Sequence, residues 1–173
     1  YRSGYISQSA QAVAVGFESG KTSQGLQCVA VGLRSGNTSQ QDRSVSVGAE
    51  AGNDTQGIDS VAIGNRCGFA SQGSQSVAIG SDAGYINQSA RNVAIGFESG
   101  KSNQGLNSVS MGYLSAQVNQ GDYSIAIGAS SGAALQGDGC VAMGYNAGTT
   151  SQGTDSISIG NLAGYNNQGV QCI

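Results

Sequence analysis

The chain contains no proline, no tryptophan and no histidine, and only 10% of its 173 residues are charged. Each absence excludes something. Without proline no backbone position loses its amide donor, which suits a chain whose amides nearly all enter ladders. Without histidine the commonest general base and metal ligand is missing. No C-x-x-C spacing stands in for it, so neither metal nor cofactor is expected. Seven basic residues against ten acidic ones give a formal charge of −3 with no basic stripe, which argues against nucleic acid as a partner. No apolar run approaches the roughly 18 residues of a helical span, so no membrane insertion is expected in this segment. The G-x-x-x-G spacings Gly16–Gly20 and Gly96–Gly100 have polar flanks and carry no membrane meaning.

What is abundant is glycine, 29 residues of it, and on a strict beat. Gly16, Gly32, Gly48, Gly64, Gly80, Gly96, Gly112, Gly128, Gly144 and Gly160 recur every sixteen residues. Gln8, Gln24, Gln40, Gln56, Gln72, Gln88, Gln104, Gln120, Gln136, Gln152 and Gln168 keep the same spacing. An unbroken period means structural units stacked in a row, each touching only its neighbours. It leaves no singular place for a catalytic site, and acid–base or nucleophilic groups are absent or scattered singly. The chain therefore reads as a rod or a surface and not as an enzyme. Neither end carries a polar closing unit of the kind that protects a solenoid edge. Residues 1–173, about eleven coils, are thus expected to form a single uncapped repeat domain, a piece of a longer chain.

With the repeat glycine as position 16, positions 13 and 15 are apolar in every coil. Val13, Val15, Val61, Ile63, Val77, Ile79, Val93, Ile95, Ile125 and Ile127 are the candidate core, a β-branched pair separated by one residue. Between them position 14 is always Ala or Ser. The alternation places Ala62, Ala78, Ala94 and Ala126 on the opposite, outward face, and their restriction to small residues predicts a close cover there, a candidate protomer interface. Gly-x-x-small-Gly then reverses the chain, as in Gly64–Gly68 and Gly80–Gly84. A short polar strand ends at the glutamine. Parallel coils about 4.8 Å apart give a rod of order 50 Å.

A glutamine in every coil reads either as a structural amide ladder along the axis or as a row of amides for a ligand. The ladder is favoured, because binding would not demand the residue in every coil. Cys28, Cys140 and Cys172 stand at position 12, where other coils place Ser44, Ser60 or Ser76, and Cys67 at position 3, where others place Ala83 or Ser99. They read as small residues in tight sites. Cys140 and Cys172 lie two coils apart, roughly 9.6 Å, beyond disulfide reach. A longer echo, Gly4–Ala10 returning as Gly84–Ala90 and Phe17–Lys21 as Phe97–Lys101, marks duplication of an eighty-residue block. Two apolar side chains per coil make a thin core, and with metal and disulfides set aside, partner chains are the expected source of further burial.

Ser60–Gly64 and Ser76–Gly80, both S-V-A-I-G, resemble the core motif of trimeric autotransporter adhesin heads, the YadA-like left-handed parallel β-roll. Asn92–Gly96, Ser124–Gly128, Cys140–Gly144 and Ser156–Gly160 extend the likeness along the chain. The resemblance implies an all-β, left-handed roll with three chains packed about a common axis, a homotrimer on a cell or virion surface. The longer coil with Gln-Gly at its second turn is similar to segments of phage and large-virus fibre proteins. The expected function is a structural and adhesive fibre segment. A host-cell or matrix receptor as partner rests on the resemblance and on exposed aromatics: Tyr5, Phe69, Tyr85 and Tyr165 at position 5, and Phe17, Phe97, Tyr113 and Tyr145 at position 1. Packing against a neighbouring coil or protomer is the simpler use of those rings. A curli-like amyloid subunit shares the Gln and Gly ladders. An ice-binding solenoid would need paired threonines, which position 7 lacks.

Overall fold

A computed structural model describes residues 2–173. It contains no helix and twenty strands of three residues each, running β1 (Ile6–Gln8), β2 (Val13–Val15), β3 (Thr22–Gln24) and so on to β20 (Asn166–Gln168). All pairings are parallel and in a register of sixteen, Val61↔Val77 and Gln88↔Gln104 for instance. Strands at positions 13–15 form one ten-stranded sheet, here the valine sheet. Strands at positions 6–8 form the glutamine sheet, in pieces of three and seven strands. The molecule is a β-solenoid whose coils each supply one strand to each sheet.

The repeat glycine is required by the backbone. Gly80 has φ +126, a region closed to side chains, and a Cβ there would meet the Gly96 carbonyl oxygen at 2.6 Å. Each of these glycines from Gly16 to Gly144 is stacked this way on the next, so none can change alone. Position 4 is glycine in every coil but one, held by φ near +52 and by the glutamine side chain against which a Cβ would fall, as at Gly68 with Gln72; Ala116 is the exception, at φ +44.

Non-glycine residues also occupy the left-handed region at positions 2, 7 and 11 of most coils. Position 7 holds Ser, Asn or Leu there, from Ser7 to Asn167, with one gap: Thr55 is not among the positive-φ residues. A β-branched residue is strongly disfavoured in that region. The glutamine sheet breaks at this coil, where only the isolated bridges Gln40↔Gln56 and Gln56↔Gln72 carry the pairing through.

The interior reverses the expected facing. Ala62, Ala78, Ala94 and Ala126 point into the roll and are fully buried. They cannot meet a partner. Val61, Val77, Val93, Ile95, Ile125 and Ile127 are only half-buried, while Val13, Val15, Ile63 and Ile79 are exposed. The expected core of β-branched pairs is therefore the outer face, and the expected interface is the core. The reason is width. The two sheets approach closely enough for a glutamine amide on one to reach a strand carbonyl on the other, which leaves space for Ala or Ser at position 14 and nothing larger.

The core is accordingly small and polar. It comprises position 14, the small residue at position 3, Ser, Cys or Asn at position 12, and glutamine. Gln24, Gln40, Gln56, Gln88, Gln104 and Gln152 are the largest fully buried side chains. Each amide from Gln24 to Gln168 donates across the interior to a position-13 carbonyl, as Gln72 does to Val61 (2.9 Å) and Gln120 to Val109 (2.9 Å). The expected axial ladder exists only in part, at Gln24–Gln40 (3.1 Å), Gln88–Gln104 (3.1 Å) and Gln136–Gln152 (3.3 Å). Transverse bonding prevails because the narrow interior puts a strand carbonyl within reach of each of these amides.

Candidate functional site

The outward side chains of the valine sheet form a uniform surface along the rod. Ten parallel strands present two apolar residues each, with Ile63 at 39%, Ile79 at 36% and Met143 at 38% exposure. β-branched residues suit a pleated surface, and the sixteen-residue register aligns them in two straight columns. At about 4.8 Å per strand the strip is roughly 45 Å long. Contiguous apolar strips of such extent are characteristic of contact surfaces.

Turns border the strip on both sides, position 11 before each strand and positions 1 and 2 after it. These turns carry most of the charge. Arg34 bridges Glu18 (3.3 Å) and Glu50 (3.7 Å), Arg43 pairs with Asp59 (2.6 Å) and Arg66 with Asp82 (2.9 Å). All four contacts run along the rod between adjacent coils. Lys21 and Lys101 add local pairs to Glu18 (2.8 Å) and Glu98 (2.9 Å). The cations hold Glu18, Asp59 and Glu98 below the usual carboxylate range, chiefly through the side-chain hydrogen bonds from Lys21, Arg43 and Lys101.

Several of the aromatics stack on neighbouring coils. Phe69 lies 5.1 Å from Tyr85 and Phe97 lies 5.6 Å from Tyr113, between ring centroids. Arg66 caps the Tyr85 ring at 5.4 Å. Tyr123 and Tyr145 are more exposed, at 67% and 60%.

The cysteines occupy hydroxyl sites. Ser124 Oγ donates to the Gly137 carbonyl (2.7 Å) and accepts from the Cys140 amide (3.1 Å). In the next coil the Cys140 thiol takes over the donor role to Gly153. At position 3, Ser99 and Ser115 donate to position-14 carbonyls, Ser110 and Ala126, at 2.8 Å. Both hydroxyl columns escaped the sequence reading, although the exclusion of large residues from positions 3 and 12 was their signal. Burial pushes the Cys67 thiol up to about 12 and raises Cys140 too. No cluster of His, Cys, Asp or Glu suited to a metal occurs among the described residues. An end cleft, lined by Ile157, Ile159, Ala163, Gln168 and Cys172, is the interior of the roll seen end-on.

Residues 104–131, 120–147 and 136–163 each match the family described as YadA head domain repeat (2 copies). Over residues 104–163 the chain is thus similar to YadA head repeats. The same register and hydrogen-bond pattern continue from this stretch toward both ends of the rod. YadA head domains in general form homotrimers, are exposed on the cell surface and belong to structural adhesins. No match was found among curated proteins or among solved structures.

Proposed function

We propose that this chain is a non-catalytic, trimeric segment of an adhesin-type surface fibre, in which three rolls bury their Val/Ile faces against one another. The observation that supports this is the apolar strip of the valine sheet, ten strands long and uncovered in the single chain. Apolar side chains that cannot enter the roll need another cover, and a second and third copy offer a face of matching length and repeat. A three-fold arrangement removes all three strips from water at once. The family match over residues 104–163 supports the same stoichiometry. The polar and aromatic turns then form the outside of the fibre, on a cell or virion surface, where a receptor would bind.

Native mass spectrometry with sedimentation tests the reading. A single species of three chains is expected. A stable monomer, or open-ended fibrils of the curli kind, would overturn it.

A further inference from the structure

A uniform repeat gives partner chains a problem: sliding one roll past another by one coil recreates the same apolar contacts. The turn residues bordering the Val/Ile face break that degeneracy. Three strands of the valine sheet are charged at both ends: Val45–Val47 between Arg43 and Glu50, Val61–Ile63 between Asp59 and Arg66, and Val93–Ile95 between Arg91 and Glu98. In all three the two ends have opposite sign. They do not meet within one chain, because a strand about 10 Å long lies between them. Arg91 is exposed and makes no ion pair among the described residues.

Symmetry supplies the missing contact. When three parallel copies close about an axis the interface is heterologous, so the end of each strand in one copy abuts the start of the same strand in the next. Closed point symmetry sets both at one axial level, whichever way the chains circulate. Resting on the trimeric reading above, we propose that Arg43, Asp59 and Arg91 of each copy face Glu50, Arg66 and Glu98 of its neighbour and lock the rolls parallel and unstaggered. A slip of one coil in one direction sets Arg43 against Arg66 and Asp59 against Asp82. A slip in the other sets Arg43 against Arg34 and Asp59 against Glu50, with Arg91 against Asp82 as its one attractive pair in place of three. Both slips put like charges together at two levels, which disfavours wrong registers even where the attraction itself is modest.

The test is a charge-swap cycle on the whole chain: Arg91→Glu, Glu98→Arg and the double variant. A second cycle uses Arg43→Glu and Glu50→Arg. Sedimentation gives the stoichiometry, thermal melting the assembly midpoint, and circular dichroism shows that the roll is intact. Each single reversal should lower the midpoint by several degrees, and each double variant should recover most of the loss. In about 1 M salt, where the screening length is roughly 3 Å, the differences should shrink. As a geometric check, Arg91→Cys with Glu98→Cys in a Cys172→Ser background should give covalent trimers with a short bis-maleimide. Double variants that melt where the summed single losses place them, or a crosslinker that yields only monomers from a trimeric sample, would overturn the register and leave the trimer standing. A wild type that is not trimeric would overturn both.

Discussion

Gln72 Nε2 donates to the Val61 carbonyl oxygen at 2.9 Å, eleven residues back and across the interior. This bond, repeated coil after coil, joins the two sheets where an ordinary solenoid would have aliphatic packing. Replacing Gln72 by Leu should cost about 0.5–1.5 kcal/mol, the usual worth of one hydrogen bond, since the Val61 carbonyl keeps its place in the strand ladder. Gln72→Glu should cost more, because it also buries an unpaired charge. Thermal melts of the two variants measure the order; a Gln72→Glu variant as stable as wild type would show that the interior is wet.

The inverted facing separates two substitutions on adjacent residues. Ala78→Val overfills the roll and should destabilise it by about 1–3 kcal/mol, with loss of β signal at lower temperature. Val77→Asp leaves the roll folded, since Val77 points outward, but places a charge in the proposed apolar interface. Sedimentation should show single chains with an unchanged dichroism spectrum.

Thr55 stands where other coils use a left-handed Ser, Asn or Leu, and the glutamine sheet is interrupted there. Asparagine tolerates that conformation better than any β-branched residue. Thr55→Asn should restore the strand and add roughly 0.5–1 kcal/mol. Slower hydrogen exchange of the amides around residues 54–56 would be the local signature.

Glu18, Asp59 and Glu98 have carboxyls held below their ordinary values by cations. Depressed values mean that the unfolded chain takes up protons first as pH falls. Their contribution is present in full above about pH 5 and is lost below about pH 4, through the folded-state values. It is small, because these pairs are solvated. With no histidine in the chain, the melting temperature should be flat from about pH 5.5 to 8 and should fall slightly on acidification.

Thiol accessibility gives an independent check of the interior. Cys28, Cys67 and Cys140 are buried and Cys172 is half-buried. A maleimide or disulfide reagent at neutral pH should label Cys172 alone in the native protein and all four thiols after denaturation. Rapid labelling of Cys67 would mean that its coil is open.

The period, the strand positions and the parallel stacking were all legible in the sequence, because glycine at φ near +130 and a glutamine in every interior slot permit no substitution. The facing was not. Valine and isoleucine at alternate positions state that a surface is dry; they do not say whether the chain itself or a neighbour dries it. The decisive signal lay in the strictest columns. Position 14 admits only Ala or Ser and position 8 only Gln, while positions 13 and 15 exchange Val, Ile and Met freely. Tight restriction followed the narrow interior, and looser apolar character followed the outer sheet. The hydroxyl columns at positions 3 and 12 and the left-handed turn residues are backbone devices, which hydrophobic patterning cannot reveal.

Gly16 to Gly160 make each coil a template for the next, which turns length into something counted rather than measured. Adding or removing whole coils leaves every surviving neighbour contact chemically the same, while gain or loss of a single residue would misplace a glycine against a carbonyl and stop the stack. Such a chain can be lengthened by copying, as its eighty-residue echo suggests it has been, and its reach can change between one generation and the next without a new fold having to be found.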